Sequence, residues 1–221
     1  MRNHKATTAA AALAAAGALL LTGCGAGSKG GDDPKKIAGA DTGASASASP
    51  SASASGAAEV ANRPKVVMPA DVEHVYEGGT TGDPVKDAVL ADNAQNLEAI
   101  DTAITGDQKS SEAALKFYNK DKALLAVADY IKSYYADNRS FVGTTRYYQR
   151  QVTVTGGTAT LSYCADATQT FPKDRKTGKV DRSVAGSATD YTFFTEQLQK
   201  NDKNVWQSVS IISGSGAKKC M

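Results

Sequence analysis

Histidine is almost absent from this chain of 221 residues, which contains only two, together with three cysteines and one tryptophan. The histidines are His4 and His74, so residues 83–221 have none. That absence excludes Ser-His-Asp and Cys-His catalytic arrangements and histidine zinc sites from residues 83–221. We therefore predict no catalytic residue, no metal site and no cofactor there.

An excess of charge of either sign is also missing. Lysine and arginine total 25 against 23 aspartates and glutamates, and removing Arg2 and Lys5 with residues 1–23 leaves equal numbers of bases and acids. Binding to nucleic acid requires clustered positive charge to neutralise phosphates. We therefore predict no nucleic-acid partner.

The chain has no apolar run long enough to span a membrane. The apolar run 6–21, which is mostly Ala and Leu, would form a helix of roughly 24 Å at 1.5 Å per residue, which is shorter than the bilayer core. A basic start at Arg2 and Lys5 precedes this run. The combination is typical of a secretory signal peptide, which we assign to residues 1–23.

The run ends in Leu21-Thr22-Gly23-Cys24, which resembles the lipobox of bacterial lipoproteins. The resemblance implies cleavage before Cys24 and a diacylglyceryl group on its thiol. Two or more acyl chains suffice for stable anchoring. We therefore expect a lipid-anchored protein on the outer face of the cell membrane, reached by secretory export; the alternative is an ordinary signal peptide followed by a chance cysteine.

Residues 24–82 are rich in Gly, Ala and Ser, with a Ser-Ala alternation at 45–55. Such a segment buries too little apolar surface to offset its ordering entropy, so we predict a disordered tether. At about 5–6 Å × √n it would span roughly 40 Å. A thin apolar string at 66–76 leaves open whether the end of the tether docks on the region that begins at residue 83.

Helical signals begin at Asp83-Pro84, a favoured N-cap followed by proline at the first helical position. Apolar residues recur at helical spacing from there to Gly106, a C-terminal stop. A second helix is predicted from Ser110 or Ser111, and a third after a cap at Asn119. Three helices therefore come first.

After residue 140 the pattern changes to the alternation and the β-branched and aromatic residues of strands. The predicted strands are 147–155, 158–168, 189–200 and 205–213, with turns at Gly156-Gly157 and 201–204 and a long polar connection at 172–187. The order predicts an α+β domain over residues 83–221, with the helices covering one face of a curved, antiparallel four-stranded meander.

Two cysteines, Cys164 and Cys220, remain once Cys24 is assigned to lipid. An exported domain meets an oxidising environment, so we predict that they form a disulfide. The alternative is two unpaired thiols.

Three features of residues 83–220 occur together in one family: the run Thr158-Ala159-Thr160-Leu161-Ser162-Tyr163-Cys164-Ala165-Asp166, Trp206 at the start of the last strand, and Cys220 near the C-terminus. The sequence resembles actinobacterial exported lipoproteins of the nuclear transport factor 2-like superfamily. The resemblance implies a cone-shaped, cystatin-like roll with a cavity between helices and sheet, and paired cysteines.

Enzymes with the resembled fold, such as ketosteroid isomerases, use an acid and a tyrosine inside the cone. Asp166 and Asp190 are the candidate acids, but strand alternation points them away from Tyr163 and Tyr191. We therefore expect these aspartates at the surface. The residues predicted to line a cavity or an interface are Tyr147, Tyr163, Tyr191 and Trp206.

These observations favour a non-enzymatic binding or accessory domain at the cell envelope. Its partner would be an envelope protein, a cell-wall component or a small apolar ligand, in addition to the membrane reached through the lipid. The alternative is a small-molecule isomerase or cyclase that uses the cone. A buried carboxylate beside a tyrosine, facing the inside of the cone, would favour the enzyme.

Overall fold

The computed structural model describes residues 63–184 and 186–221. The predicted signal peptide, Cys24 and most of the predicted tether lie outside the described residues. The described elements are β1 (Val72–Tyr76), α1 (Pro84–Thr105), α2 (Gln108–Tyr118), α3 (Asp121–Ala136), β2 (Arg139–Thr155), β3 (Thr158–Asp174), β4 (Tyr191–Lys200) and β5 (Trp206–Ser215). Three helices and a five-stranded mixed sheet form an α+β fold.

The first helix begins and ends where the sequence predicts. The Asp83 carboxylate accepts hydrogen bonds from the backbone N–H groups of Val85 and Lys86, and Pro84 occupies the first helical position. At the other end the N–H of Gly106 donates to the carbonyl of Thr102 at 2.8 Å. Local capping chemistry therefore defines α1.

The starts of the other two helices differ from the prediction. Helix α2 begins at Gln108, because Asp107 rather than Ser110 or Ser111 supplies the capping carboxylate. Helix α3 begins after Lys120, and Asn119 does not cap its start. Asn119 instead ends α2, where its side-chain amide donates to the Leu115 carbonyl, and it exchanges hydrogen bonds with Asn96 of α1 at 3.0 and 2.5 Å. The Asn119 side chain, which the sequence predicts as the cap of α3, therefore belongs to a buried amide pair with Asn96.

The sheet has the order β1-β2-β3-β4-β5, with β1 parallel to β2 and every other neighbour antiparallel. The pairing of β2 with β3 shifts register between Thr144 and Arg146 and between Tyr148 and Gln151. Bulges of this kind bend a strand and increase its twist. They curve the sheet around the side on which the helices pack.

The expected four-stranded count is therefore wrong by one strand. The extra strand β1 lies inside the range 24–82 that the sequence assigns to the tether, and it pairs from Val72↔Gly143 to Tyr76↔Tyr147. Arg63, further upstream, forms an ion pair with the buried Asp92 of α1. A five-residue strand whose partner lies about 70 residues away carries no local turn or period signal, which is why the sequence pattern missed it.

Two apolar clusters form the core. One lies between α1 and the sheet and contains Val89, Leu161, Tyr163 and Trp206. The other lies among the helices; its members include Ile100, Ile104, Leu115, Val127 and Ile131. The first cluster fills one part of the space between helices and sheet.

A disulfide joins Cys164 of β3 to Cys220, with Cα atoms 5.5 Å apart. Tyr148, Tyr191 and Phe193 pack around it. Because neighbouring residues of a strand point to opposite faces, Cys164 lies on the face of the sheet opposite Tyr163. The bond attaches the C-terminal tail to the outer face of the curved sheet.

Candidate functional site

A cavity of about 320 Å³ opens between the sheet and helices α1 and α3. It is lined by the ring side chains Tyr130, Tyr134, Phe141, Tyr147, Phe171 and Phe194. Small side chains on β3, Ala165 and Ala167, leave the space open between these rings. The volume lies at the lower end of the range typical of small-molecule sites.

The rings on one wall form a connected series. Tyr130 and Tyr134, one turn apart on α3, have ring centroids 5.3 Å apart and hydroxyl oxygens 3.2 Å apart. Phe141, at the start of β2, lies 6.0 Å from the Tyr134 ring. Helical spacing of four residues places both tyrosines on the same face of α3, toward the sheet.

One carboxylate, that of Asp101 on α1, lines the cavity among these rings. Its Oδ2 lies 2.7 Å from Nε2 of His74, whose side chain is only 1 % exposed. A carboxylate only accepts hydrogen bonds, so Nε2 carries the hydrogen of this contact. The Nδ1 of the same ring lies 3.0 Å from the hydroxyl of Tyr76. Strand β1 therefore positions the Asp101 carboxylate through the hydrogen bond from His74.

The His74 ring is held by aromatic neighbours. Its centroid lies 5.1 Å from that of Tyr147 and 5.9 Å from that of Tyr76, in edge-on geometries, and the two tyrosines stack at 5.3 Å. Burial, followed by repulsion from the Asp101 carboxylate, raises the pKa of the Tyr147 phenol well above its usual value. Burial likewise raises the pKa of Tyr76. Both phenols stay neutral hydrogen-bonding groups at physiological pH.

The charged groups at the rim of the cavity are already partnered. Arg139 forms an ion pair with Asp137 at 2.5 Å and lies 5.5 Å from the centroid of the Tyr134 ring. Asp190 accepts hydrogen bonds through Oδ2 from the backbone N–H and hydroxyl of Ser187. The rim thus combines one guanidinium and one carboxylate with the inner carboxylate of Asp101.

A second carboxylate, that of Glu196 on β4, lies within the core and is 1 % exposed. Tyr163 and Ser208 donate hydroxyl hydrogen bonds to it at 2.5 and 2.6 Å, and the Asn93 amide donates at 3.2 Å. Burial raises the pKa of Glu196 and lowers that of the neighbouring Arg150. This is a carboxylate beside a tyrosine inside the fold, but it is too deeply covered to touch a ligand.

The four residues predicted to line a cavity or interface occupy different places. Tyr147 lines the cavity. Tyr163 and Trp206 are each 1 % exposed and belong to the core cluster against α1. Tyr191 packs beside the disulfide on the outer face of the sheet.

The two candidate acids also separate. Asp166 forms an ion pair with Arg146 at 3.0 Å, and it accepts a hydrogen bond from the Thr168 hydroxyl. Hydrogen bonds from Thr168 and Arg146 outweigh its burial and lower the pKa of Asp166. Asp190, in contrast, lies at the rim of the cavity. Within the described part of the chain, the side chain of neither aspartate forms a hydrogen bond with Tyr163 or Tyr191.

Besides most of the aromatic lining, the sequence analysis missed two polar residues of the site, His74 and Asp101. The expectation of a histidine-free domain placed His74 at the end of the tether, whereas it lies in β1, within the sheet. The one available signal was the thin apolar string that includes Val72, Val75 and Tyr76. In the sequence, nothing distinguishes Asp101 from a solvent-exposed acidic residue of an amphipathic helix. Its role becomes visible only when β1 is placed beside α1 and His74 contacts it.

Other features of the described residues are weaker candidates. A groove of about 560 Å³ between α2 and α3 is bordered by charged surface side chains such as Lys109, Glu112 and Lys116. Within residues 63–184 and 186–221, no group of three or more His, Cys, Asp or Glu side chains could hold a metal ion. No helix in those ranges is long and apolar enough to cross a membrane.

No family model matches this chain, and no curated protein matches it. Several solved structures are similar to it. One is a nuclear transport factor 2-like superfamily protein from Salmonella enterica, with 13 % identity and a TM-score of 0.40, covering 61 % of this chain and 92 % of that one. Another is a ketosteroid isomerase-like protein from Erwinia carotovora, with 15 % identity and a TM-score of 0.38, covering 58 % and 93 %.

A third is described as a putative dehydratase from the NTF2-like family of Streptomyces avermitilis. It shares 14 % identity and a TM-score of 0.40, covering 61 % of this chain and 98 % of that one. All three solved structures are thus NTF2-like or ketosteroid isomerase-like proteins. Their identities lie below 25 % and their TM-scores below 0.5, so the activities in those descriptions are not transferred to this chain.

Proposed function

We propose that this protein is a small-molecule-binding domain held on the outer face of the cell membrane by a lipid on Cys24. The observation that carries the binding function is the open, ring-lined cavity of about 320 Å³ with the Asp101 carboxylate in its wall. Ligand sites typically combine apolar and aromatic walls with a few placed polar groups. The proposed role is capture rather than chemistry, with an envelope protein or cell-wall component as a further partner.

The distribution of polar groups supports binding over catalysis. The buried Glu196–Tyr163 pair is sealed in the core, and the only other candidate acid on a sheet strand, Asp166, is paired with Arg146. Cys164 and Cys220 form a disulfide, so neither thiol is available as a nucleophile. An aromatic cavity with one inner carboxylate is sufficient for recognition.

The anchoring half of the proposal rests on the lipobox-like Leu21-Thr22-Gly23-Cys24. Cells producing the full chain, grown with labelled palmitate, should yield a labelled membrane-bound product. The variant Cys24→Ser should lose the label and leave the membrane fraction. An unlabelled wild-type product with a free thiol at Cys24 would overturn the anchoring, without touching the cavity.

The binding half is tested by filling the cavity. A fragment library screened by ligand-observed NMR against the wild-type chain should give hits. Ala167→Trp places a large ring in the cavity and should abolish them, whereas Ala113→Trp, on an exposed position of α2, should retain them. Hits that survive Ala167→Trp would show that the ligands bind elsewhere.

An enzyme remains the second candidate, and a specific contact favours it. The Asp101 carboxylate both lines the cavity and is held by buried His74 at 2.7 Å, which is the arrangement of an oriented general base. The reaction class would be proton abstraction from a carbon acid. Enolisable ketones in D₂O should then exchange faster with wild type than with Asp101→Asn; equal rates for both proteins would remove this candidate.

A further inference from the structure

We propose that the cavity selects a small organic cation, such as a quaternary or primary ammonium group, through its aromatic walls and the Asp101 carboxylate. This inference rests on the proposed binding function and names the chemical class of its ligand. Three features of the cavity support it: aromatic walls, a carboxylate oxygen without a hydrogen-bond partner among the described residues, and a guanidinium group that is already engaged.

The ring faces come first. Six aromatic side chains line a space of only about 320 Å³, and the paired hydroxyls of Tyr130 and Tyr134 lie beside it. The face of a phenol or phenyl ring carries negative charge density and attracts a cation that lies within about 6 Å of the centroid. Two of these rings already hold cations of the protein itself: Arg139 lies 5.5 Å from the Tyr134 centroid, and Arg182 lies 4.9 Å from that of Phe171.

The carboxylate comes second. Asp101 uses Oδ2 to accept from His74, while its Oδ1 has no hydrogen-bond partner among the residues that the structure describes. The Asp101 side chain is 12 % exposed and lines the cavity. Asp190 adds a second carboxylate at the rim, bonded through Oδ2 to Ser187. A ligand cation would find a counter-charge inside and another at the mouth.

The engaged guanidinium group of Arg139 comes third. Among the described residues, Arg139 is the one basic residue that lines the cavity, and it is exposed and paired with Asp137 at 2.5 Å. An anionic ligand would have to displace that pair and then approach Asp101. Repulsion between like charges opposes such a complex, whereas a cation gains from Asp101 without breaking any contact of Arg139.

Three probes of matched shape separate charge from shape. Choline carries a quaternary ammonium group, 3,3-dimethylbutan-1-ol replaces its nitrogen by carbon, and 3,3-dimethylbutanoate carries the opposite charge. Calorimetric titration of the full mature chain should show that choline binds about tenfold more tightly than the neutral alcohol. The anion should bind more weakly still.

Two variants locate the charge preference. Asp101→Asn should reduce the preference for choline to about twofold or less, because the amide keeps the shape and loses the charge. Asp166→Asn is the matched control, since its carboxylate is paired with Arg146 and does not line the cavity; it should retain the full preference. Native fluorescence of the buried Trp206 verifies that each variant is folded.

The wild-type series needs no substitution, so it remains decisive if Asp101→Asn fails to fold. Equal affinities for choline and the alcohol, a preference for the anion, or no binding by choline would each overturn the cation inference. Fragment hits that Ala167→Trp abolishes would in those cases still support the binding cavity. Absence of such hits would instead remove the proposed function itself.

Discussion

At the scale of single residues, the most unusual feature is the buried carboxylate of Glu196, which accepts hydrogen bonds from Tyr163, Ser208 and Asn93. Three donors compensate only part of what its charge loses on leaving water, so burial raises its pKa. The folded protein therefore binds a proton at Glu196 more tightly than the unfolded chain does. Ionisation of this side chain weakens the fold.

That linkage predicts a pH dependence. As pH rises above the ordinary glutamate pKa of 4.5, the free energy of unfolding of the wild type should fall relative to Glu196→Gln. The decline should reach at most about 1.4 kcal/mol per pH unit and level off above the raised pKa. Urea unfolding between pH 4 and 8, followed through Trp206, measures it. Glu112→Gln alters only an exposed surface pair and keeps Glu196, so its profile should decline in parallel with the wild type. Parallel profiles for wild type and Glu196→Gln would refute the linkage.

Gly143 is a second residue whose environment dictates its identity. It lies where β1 meets β2, with a φ of +109°, and a Cβ atom there would be 2.1 Å from the carbonyl oxygen of Gln169. Gly143→Ala should therefore lower the free energy of unfolding by roughly 3 kcal/mol or more. Gly157→Ala, where a Cβ has open space, should change it by less than about 1 kcal/mol. Similar losses in both variants, measured by urea unfolding, would contradict the steric argument.

At the scale of elements, β1 is short but holds much of the site. It contributes Val72 to the sheet, His74 to Asp101 and Tyr76 to the stack with Tyr147. The hydroxyl of Tyr76 also donates to the carbonyl of Ala94 on α1 at 3.1 Å. The strand thereby connects the edge of the sheet to the helix that carries the cavity carboxylate.

Removing this element should be costly. Local sequence patterns place the start of the domain at residue 83. A protein that begins there should have a free energy of unfolding at least about 4 kcal/mol lower than one that begins at residue 63, because the apolar burial of Val72 and Tyr76 is lost. Loss of Arg63 also leaves the buried Asp92 without its cation. Thermal and urea unfolding compare the two, and a protein beginning at 24 is the control, expected to match the one beginning at 63. Equal stability from residues 83 and 63 would show that β1 is dispensable.

At the scale of the whole molecule, the Cys164–Cys220 bond closes the chain from β3 to its C-terminal tail, across 56 residues. Tyr148 donates its hydroxyl hydrogen bond to the Cys220 carbonyl, so the tail is held by side-chain packing as well. The bond restricts the unfolded chain more than it changes the folded one. Its contribution belongs to the stability of the domain as a unit.

The double variant Cys164→Ala/Cys220→Ala should lose about 4 kcal/mol of unfolding free energy, which corresponds to a midpoint lower by roughly 10 °C. Calorimetry of exported protein measures the shift. A reductant should produce a comparable shift in the wild type and none in the double variant. Two reactive thiols in the exported, non-reduced wild type would contradict the bond.

The sequence alone was sufficient for features that depend on neighbours along the chain. Asp83 and Pro84 start a helix through contacts within four residues, Gly156-Gly157 permits a tight turn, and alternation separates Cys164 from Tyr163. The change from helical to alternating periodicity near residue 140 likewise predicted the α+β order of residues 83–221. The lipid anchor and the export signal are also sequence inferences, and they stay predictions.

Only the tertiary structure decided which distant residues share a site. His74 reaches Asp101 because β1 pairs in parallel with a strand about 70 residues away, and the Asn119 amide bonds to Asn96 of α1 instead of capping the start of α3. Neither contact produces a periodic pattern in the sequence, because each joins residues that are distant along the chain and meet only in the folded protein. Local patterns define elements because their hydrogen bonds are local. The cavity belongs to the packing between elements, where burial and side-chain shape determine which groups meet.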